Sequence, residues 1–351
     1  MSFLREEIIA LSEYNLKQYP CRIKLNQNEN PYELPSVIKE EILQRFAAAR
    51  WSRYPAFVPQ EQIELLAAFT GHRSDGILIG NGSNDLLQLL IFSSLGRGTS
   101  VVISQPTFTL YKLLAQSLGA TVLEVPMVGP FAFDVDQIIG RANADGAAMV
   151  IVCSPNNPTG TCLSEQDVRS IVERTRALVV LDEAYVQFAR ESRINLLAEY
   201  DRLVILQTFS KAMGAAGLRF GYSLSDPALA RQLNKVKLPY SVNIFTLIAS
   251  EVLIRRWGMI EGWIEKIVRE RESLLDALRR LDGVRTYQSG ANFLLFETLS
   301  KSPADIFNAL LRKGILIRDV SSYPLLDRGL RVSVGTPEDN KEFLAAMKEV
   351  L

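Results

Sequence analysis

The chain has 351 residues, 48% hydrophobic and 22% charged, an ordinary globular composition with length for one large domain and a smaller one. Lys+Arg and Asp+Glu both number 39, so the balanced charge gives no electrostatic case for binding nucleic acid or an anionic membrane. One histidine, His72, and three cysteines out of metal-ligand spacing (Cys21, Cys153, Cys162) exclude multi-histidine metal sites and fit reduced thiols in a cytoplasm.

No window approaches 18 consecutive apolar residues, so no membrane span is expected. The start, MSFLREEIIALSEY, is acidic and amphipathic rather than a secretory signal. Residues 1–20 read as a helical arm whose Ile8, Ile9 and Leu11 pack on the body or on a second subunit. Residues 23–35, IKLNQNENPYELP, break from strand pattern into an Asn-rich, Pro-bounded loop. Helices follow over 36–49 and 60–69, with WSRYP between them.

From there strand and helix alternate. A strand at 77–79 leads through the turn 80–84 into a helix from about Asp85, with Ser83 or Asn84 as the natural N-cap. The free N–H groups of such a helix start suit a phosphate, although the spacing is that of neither a Walker loop nor a dinucleotide fingerprint. Further strands fall at 101–104, in ATVLEVP, in AAMVIVC before Asn156-Asn157, and at 177–181 before Asp182. Helices fill the stretches from about 108 and near 164–175. This alternation predicts a mainly parallel sheet covered by helices on both faces.

The stretch 203–223, LVILQTFSKAMGAAGLRFGYS, carries the most chemistry. A buried strand ends in Thr208-Phe209-Ser210, then Lys211, then small residues, then Arg219. A lysine crowded in this way is a candidate reactive amine, because desolvation or a cationic neighbour lowers its pKa. Asn157, Asp182 and 208–211 all follow the carboxyl ends of predicted strands, the edge where open α/β sheets bind ligands. With His72 in a polar turn, the proton carrier of an enzyme here would be a lysine, tyrosine or carboxylate, with a cofactor for the difficult electronic step. Beyond about 225, helices at 226–237 and 243–281 (two, meeting near Trp257-Gly258) precede strands at 284–287, 293–296, 315–318 and 330–334. With helices at 303–313 and from Pro337, these form a compact α+β unit.

The set NENP (28–31), RYP (53–55), GNGSND (80–85), SPNNPTG (154–160), DEAY (182–185), TFSKAMGAAGLRFGY (208–222), ANFLLF (291–296), GILIRD (314–319) and LRVSVGTPEDN (330–340) resembles the histidinol-phosphate aminotransferases. These are fold-type I enzymes that use pyridoxal 5'-phosphate (PLP). Threonine-phosphate decarboxylases and aromatic aminotransferases share most of these motifs and give the alternative reading. A nucleotide-binding oxidoreductase is disfavoured, since no glycine fingerprint follows the first strand. A regulator that only binds PLP is disfavoured by the intact set of chemical residues.

The resemblance implies an α/β large domain with a mainly parallel sheet over 31–240, a smaller α+β domain over 241–351, and an arm and loop over 1–30. It implies that Lys211 holds PLP and moves the substrate proton, that Asp182 faces the pyridine nitrogen, and that Asn157 and Tyr185 donate to the phenolic oxygen. Phe108 matches the aromatic ring stacked on the pyridine. Gly82, Ser83, Asn84, Thr208, Ser210 and Arg219 match the phosphate cradle, and Tyr54 the tyrosine that reaches it from a neighbouring subunit, which implies a homodimer with shared sites. Arg331 and Arg318 match the pair gripping the substrate's anionic groups, while Tyr14, Glu29 and Asn30 lie where the arm and first loop close over it. The partners implied are a small amino donor and a 2-oxo acid; no metal is implied.

Overall fold

The computed structural model describes residues 3–13 and 17–351. Its first helix, α1 (Glu6–Ala10), is five residues long, not the extended arm helix expected, and buries none of its side chains. So short a helix has no apolar face large enough to offset the cost of ordering more turns. Next, β1 (Ile23–Lys24) pairs in parallel with a strand almost 300 residues later, as described below. Then come α2 (Ser36–Ala48) and α3 (Gln60–Thr70), each preceded by a proline whose missing N–H costs no helical hydrogen bond at that position.

The large sheet is built from β2 (Ile77–Gly80), β3 (Ser100–Gln105), β4 (Thr121–Pro126), β5 (Met149–Cys153), β6 (Leu178–Asp182), β7 (Leu203–Thr208) and β8 (Gly221–Ser225). Its order is β2-β8-β7-β6-β5-β3-β4, and β8 alone runs antiparallel to its neighbours. The expected α/β class is therefore what the chain adopts. The strands are apolar on both faces because helices cover both. In β7, Leu203 and Ile205 enter one apolar cluster and Val204 and Leu206 the other. Each such fully buried aliphatic side chain contributes roughly 1.5–3 kcal/mol. One face is covered by α4 (Ser83–Ser94) and α5 (Leu110–Ser117). Helices α2 and α3 cover the other, together with the helix Ile244–Arg255, which packs on both of them.

The long helix Gly262–Arg279 leads to a second, antiparallel sheet. Its strands are β9 (Val284–Thr286), β10 (Phe293–Thr298), β12 (Arg318–Asp319) and β13 (Gly329–Ser333), in the order β12-β13-β10-β9, with β11 (Ile315–Leu316) just outside it. The single strand expected at 315–318 is thus split. Ile315–Leu316 pairs with β1, while Arg318–Asp319 pairs with β13. Among the described residues no helix is long and apolar enough to cross a membrane.

Candidate active site

A cavity of about 430 Å³ opens at the carboxyl edge of the large sheet, between it and the second sheet. That volume lies within the range of small-molecule sites. Ser83 and Asn84 after β2, Phe108 after β3, Asn157 after β5, Asp182 and Tyr185 after β6, and Thr208, Ser210, Lys211 and Arg219 around β7 all line it. Strand order explains the convergence. Because β8 returns antiparallel, Gly221 lies opposite both Gly80 and Thr208. The loop that joins β7 to β8 and the start of α4 therefore meet at one edge.

That corner is built for an anion. The cap of α4 is Gly82 rather than Ser83 or Asn84, and no side chain caps the helix. Its first N–H groups thus lack the partner a capping serine would give them, which leaves their partial positive charge for a ligand. At Gly82 φ is +80°, and an added Cβ would lie 2.4 Å from Arg219 Nη2. The missing side chain is what lets the guanidinium come this close. Arg219, itself in the left-handed region, donates to Ser210 Oγ (3.2 Å), and the Thr208 and Ser210 hydroxyls lie 3.0 Å apart. Two hydroxyls, one guanidinium and an uncapped helix form a donor set that fits a phosphate dianion.

Asp182 is buried beneath the same cavity. Its Oδ2 accepts from the Tyr111 hydroxyl (2.7 Å) and its Oδ1 from the Ala184 N–H (3.0 Å). Burial pushes its carboxyl above the usual range, and these two donors pull it back. Lys211 Nζ donates to the Gln27 carbonyl (2.9 Å). Burial, and then the charge of Arg331, lower its amine to about 8. The Tyr185 hydroxyl accepts from Asn28 Nδ2 at 3.0 Å, which leaves its own proton to be donated elsewhere. An aromatic ring-binding group with a basic nitrogen, an aldehyde and a phosphate has a matching element for each: Asp182, Lys211 and the anion corner. The residues present fit PLP.

The second sheet closes the cavity. Arg331 on β13 and Arg318 on β12 stand opposite each other in register and both line it. Arg331 donates from Nη1 to Asn157 Oδ1 and from Nη2 to the Asn26 carbonyl (2.6 Å), and its guanidinium sits over the Phe293 ring. Glu29 lines the cavity while paired with Lys24.

Three expected residues stand apart. Asn30 commits both ends of its amide, donating to the Ala212 carbonyl (3.0 Å) and accepting from the Tyr32 N–H (2.9 Å); it braces the Lys211 loop instead of facing the cavity. Tyr54 is 80% exposed and stacks on Tyr240. Tyr14 lies outside the described residues. Sequence reasoning passed over Tyr111, Asn28 and the backbone carbonyls of Asn26 and Gln27. The motifs containing them, PTFTLY and NQNENP, were visible, but nothing in spacing marks a tyrosine one helical turn past Phe108 as an aspartate's partner.

An anion corner, a buried aspartate and a lysine of depressed pKa, all at the carboxyl edge of such a sheet, define the fold-type I class of PLP-dependent enzymes. The family model for aminotransferase class I and II matches residues 22–347. Among similar proteins, the histidinol-phosphate aminotransferase of Prosthecochloris aestuarii is 37% identical over 96% of this chain and 94% of its own. That of Chlorobaculum tepidum is 36% identical over 94% of each. The chain belongs to the class I and II aminotransferases, within the histidinol-phosphate aminotransferase family. Among solved structures, the Sinorhizobium meliloti histidinol-phosphate aminotransferase in complex with pyridoxal-5'-phosphate is similar at a TM-score of 0.89, 23% identity, and 100% and 98% coverage of the two chains. The L-threonine-O-3-phosphate decarboxylase of Porphyromonas gingivalis is similar at 0.82, 23% identity, and 93% and 98% coverage. Both activities therefore sit on this fold, and the fold does not choose between them.

Proposed function

We propose that the protein transfers the amino group of L-histidinol phosphate to 2-oxoglutarate, giving imidazole-acetol phosphate and L-glutamate. The observation that carries this is the second cationic site. Arg331 and Arg318 line the same cavity as the anion corner at Arg219 but come from the other sheet. One cavity with two separate anion sites suits a phosphorylated cofactor together with an anionic substrate. The relatives at 36–37% identity bear the name of that activity.

Bound PLP supplies an aldehyde that condenses with amines and a pyridine ring that accepts the electrons left when the Cα–H bond breaks. Gly82, Ser83, Asn84, Thr208, Ser210 and Arg219 would hold its phosphate in this reading, with Phe108 against its ring. Asp182 would keep the ring nitrogen protonated. Asn157 and Tyr185 would donate to the phenolic oxygen, with Asn28 orienting the Tyr185 hydroxyl for that task. Lys211 Nζ, neutral in part at physiological pH, would move the proton between the substrate Cα and the cofactor's aldehyde carbon. Arg331 and Arg318 hold the substrate's phosphate, or a carboxylate of the 2-oxo acid, and Glu29 with Tyr14 closes the mouth of the cavity.

The protein acts in this reading as a cytoplasmic homodimer. Exposed Trp51, Tyr54 and Phe57, beside exposed Leu238 and Tyr240, give it an apolar face suited to a second copy. From there Tyr54 reaches the partner's phosphate corner. Three free thiols suit a reducing compartment. A monomeric mass by sedimentation at assay concentration would remove the shared site. The substrate is tested by steady-state assay of histidinol phosphate with 2-oxoglutarate against phosphothreonine. Glutamate formation is expected; CO₂ release from phosphothreonine without amino transfer refutes the assignment.

A further inference from the structure

Tyr111 is fully buried in the apolar layer between the large sheet and its covering helices, where a phenylalanine would pack without having to satisfy a hydroxyl. That hydroxyl donates to Asp182 Oδ2 at 2.7 Å. The other carboxylate oxygen, Oδ1, is fixed by the Ala184 N–H. The two donors come from different elements, α5 and the turn after β6, so together they set the plane of the carboxylate. Tyr111 also meets Phe108 edge to face, with centroids 5.6 Å apart. The segment that presents Phe108 to the cavity therefore also carries the donor beneath the aspartate. Cys153, in register with Asp182 on β5, closes the third side, its thiol donating to the Pro155 carbonyl at 3.3 Å.

We infer that Tyr111 is a positioning residue for the transfer: its hydroxyl fixes the orientation and the charge of Asp182, and through Asp182 the state of the cofactor's ring nitrogen. A buried carboxylate tends toward its neutral form, and burial moves Asp182 that way. A protonated Asp182 could no longer hold the proton on the ring. Tyr111 donates to the ionised form and opposes this drift. The role rests on the cofactor site proposed above.

The test is a double-mutant cycle on PLP binding, with fluorescence titration of the apo-proteins of wild type, Y111F, D182N and the double variant. Y111F removes one oxygen atom and keeps the ring that fills the core, and circular dichroism checks that each variant folds. Y111F is expected to weaken PLP binding about tenfold, the scale of one hydrogen bond to a charged group. In the D182N background the same change should cost less than about twofold, since the hydroxyl acts through the carboxylate. The pH midpoint of the bound cofactor's visible absorbance should shift in Y111F, a response that loosened packing alone would not give. In turnover, kcat should fall about tenfold while KM for the amino donor stays near wild type. Equal losses in both backgrounds, or a Y111F protein matching wild type in affinity and absorbance, overturn the role while leaving the cofactor site standing. A wild type that takes up no PLP removes the site and the role together.

Discussion

The amine of Lys211 is lowered from an ordinary 10.5 to about 8, first by burial and then by Arg331. Only a neutral amine attacks an aldehyde, so the perturbation to apply is pH. At pH 7.5 about a quarter of an amine titrating near 8 is neutral, against about one part in a thousand of an ordinary lysine, roughly a two-hundredfold gain. The assay is covalent uptake of PLP by apo-protein, followed by stopped-flow absorbance, with borohydride reduction and peptide mass locating the adduct on Lys211. The rate should rise with pH and level off with a midpoint near 8. In Arg331→Met the midpoint should move upward without reaching 10.5, because burial, the larger cause, remains. The linkage has a definite sign. A folded-state amine pKa below the unfolded value means that carrying the charge costs stability below pH 8, by about 3 kcal/mol at most, and that the cost fades as pH rises toward 10.5. Apo Lys211→Met should accordingly be more stable than wild type at pH 7, the difference closing at high pH. An uptake midpoint at 10 or above, or labelling of another lysine, would refute the reasoning.

Gly82→Ala puts a Cβ 2.4 Å from Arg219 Nη2 at a backbone φ of +80°, so about 1–3 kcal/mol of stability and at least about tenfold in PLP affinity should be lost. Thermal melting and PLP titration measure both, and an unaffected variant would mean that the corner tolerates a side chain. Arg331→Ala removes the cation proposed to grip the substrate, so donor KM should rise about 10- to 100-fold while PLP uptake persists; a normal KM would move the grip elsewhere. Glu183, its carboxyl raised by burial to about 7, accepts from Ser192 Oγ, the Arg193 N–H and Gln207 Nε2. Glu183→Ala strands all three donors and should cost about 2–4 kcal/mol in urea unfolding; a loss below about 0.5 kcal/mol would show that water replaces the carboxylate.

Much of the frame was legible because strand length, apolar runs and turn residues report local physics. The run 203–206 reads as a buried strand because both its faces are apolar, and both meet a helix layer. What escaped were consequences of distant pairing. Strand pattern at the start of 23–35 was legible, but nothing in Ile23-Lys24 announces a partner at Ile315-Leu316. Asn28, at φ +56°, is held by Ser333 and Asn292 from the second sheet as well as by Tyr185, contacts that no local pattern encodes. The α4 start misled for the opposite reason. Ser83 and Asn84 have the propensity to cap, yet the glycine before them, at φ +80°, takes the position, and the first N–H groups of the helix are left without a side-chain cap.

Arg331 ties the two sheets together across the cavity. Arg331 stands on β13 in the second sheet, yet its guanidinium donates to Asn157 after β5 in the first, and to the Asn26 carbonyl in the loop that also supplies Gln27 to Lys211. Asn157 Oδ1 is thereby occupied as an acceptor, and its Nδ2 group is turned to donate. A substrate anion bound at Arg331, as proposed, would share that guanidinium with Asn157 and Asn26. In the proposed mechanism, binding at the substrate end would then be felt at Asn157 and at the loop that accepts from Lys211. The same charge also helps depress Lys211, so if Arg331 grips the substrate anion as proposed above, its neutralisation on binding would raise the basicity of the amine.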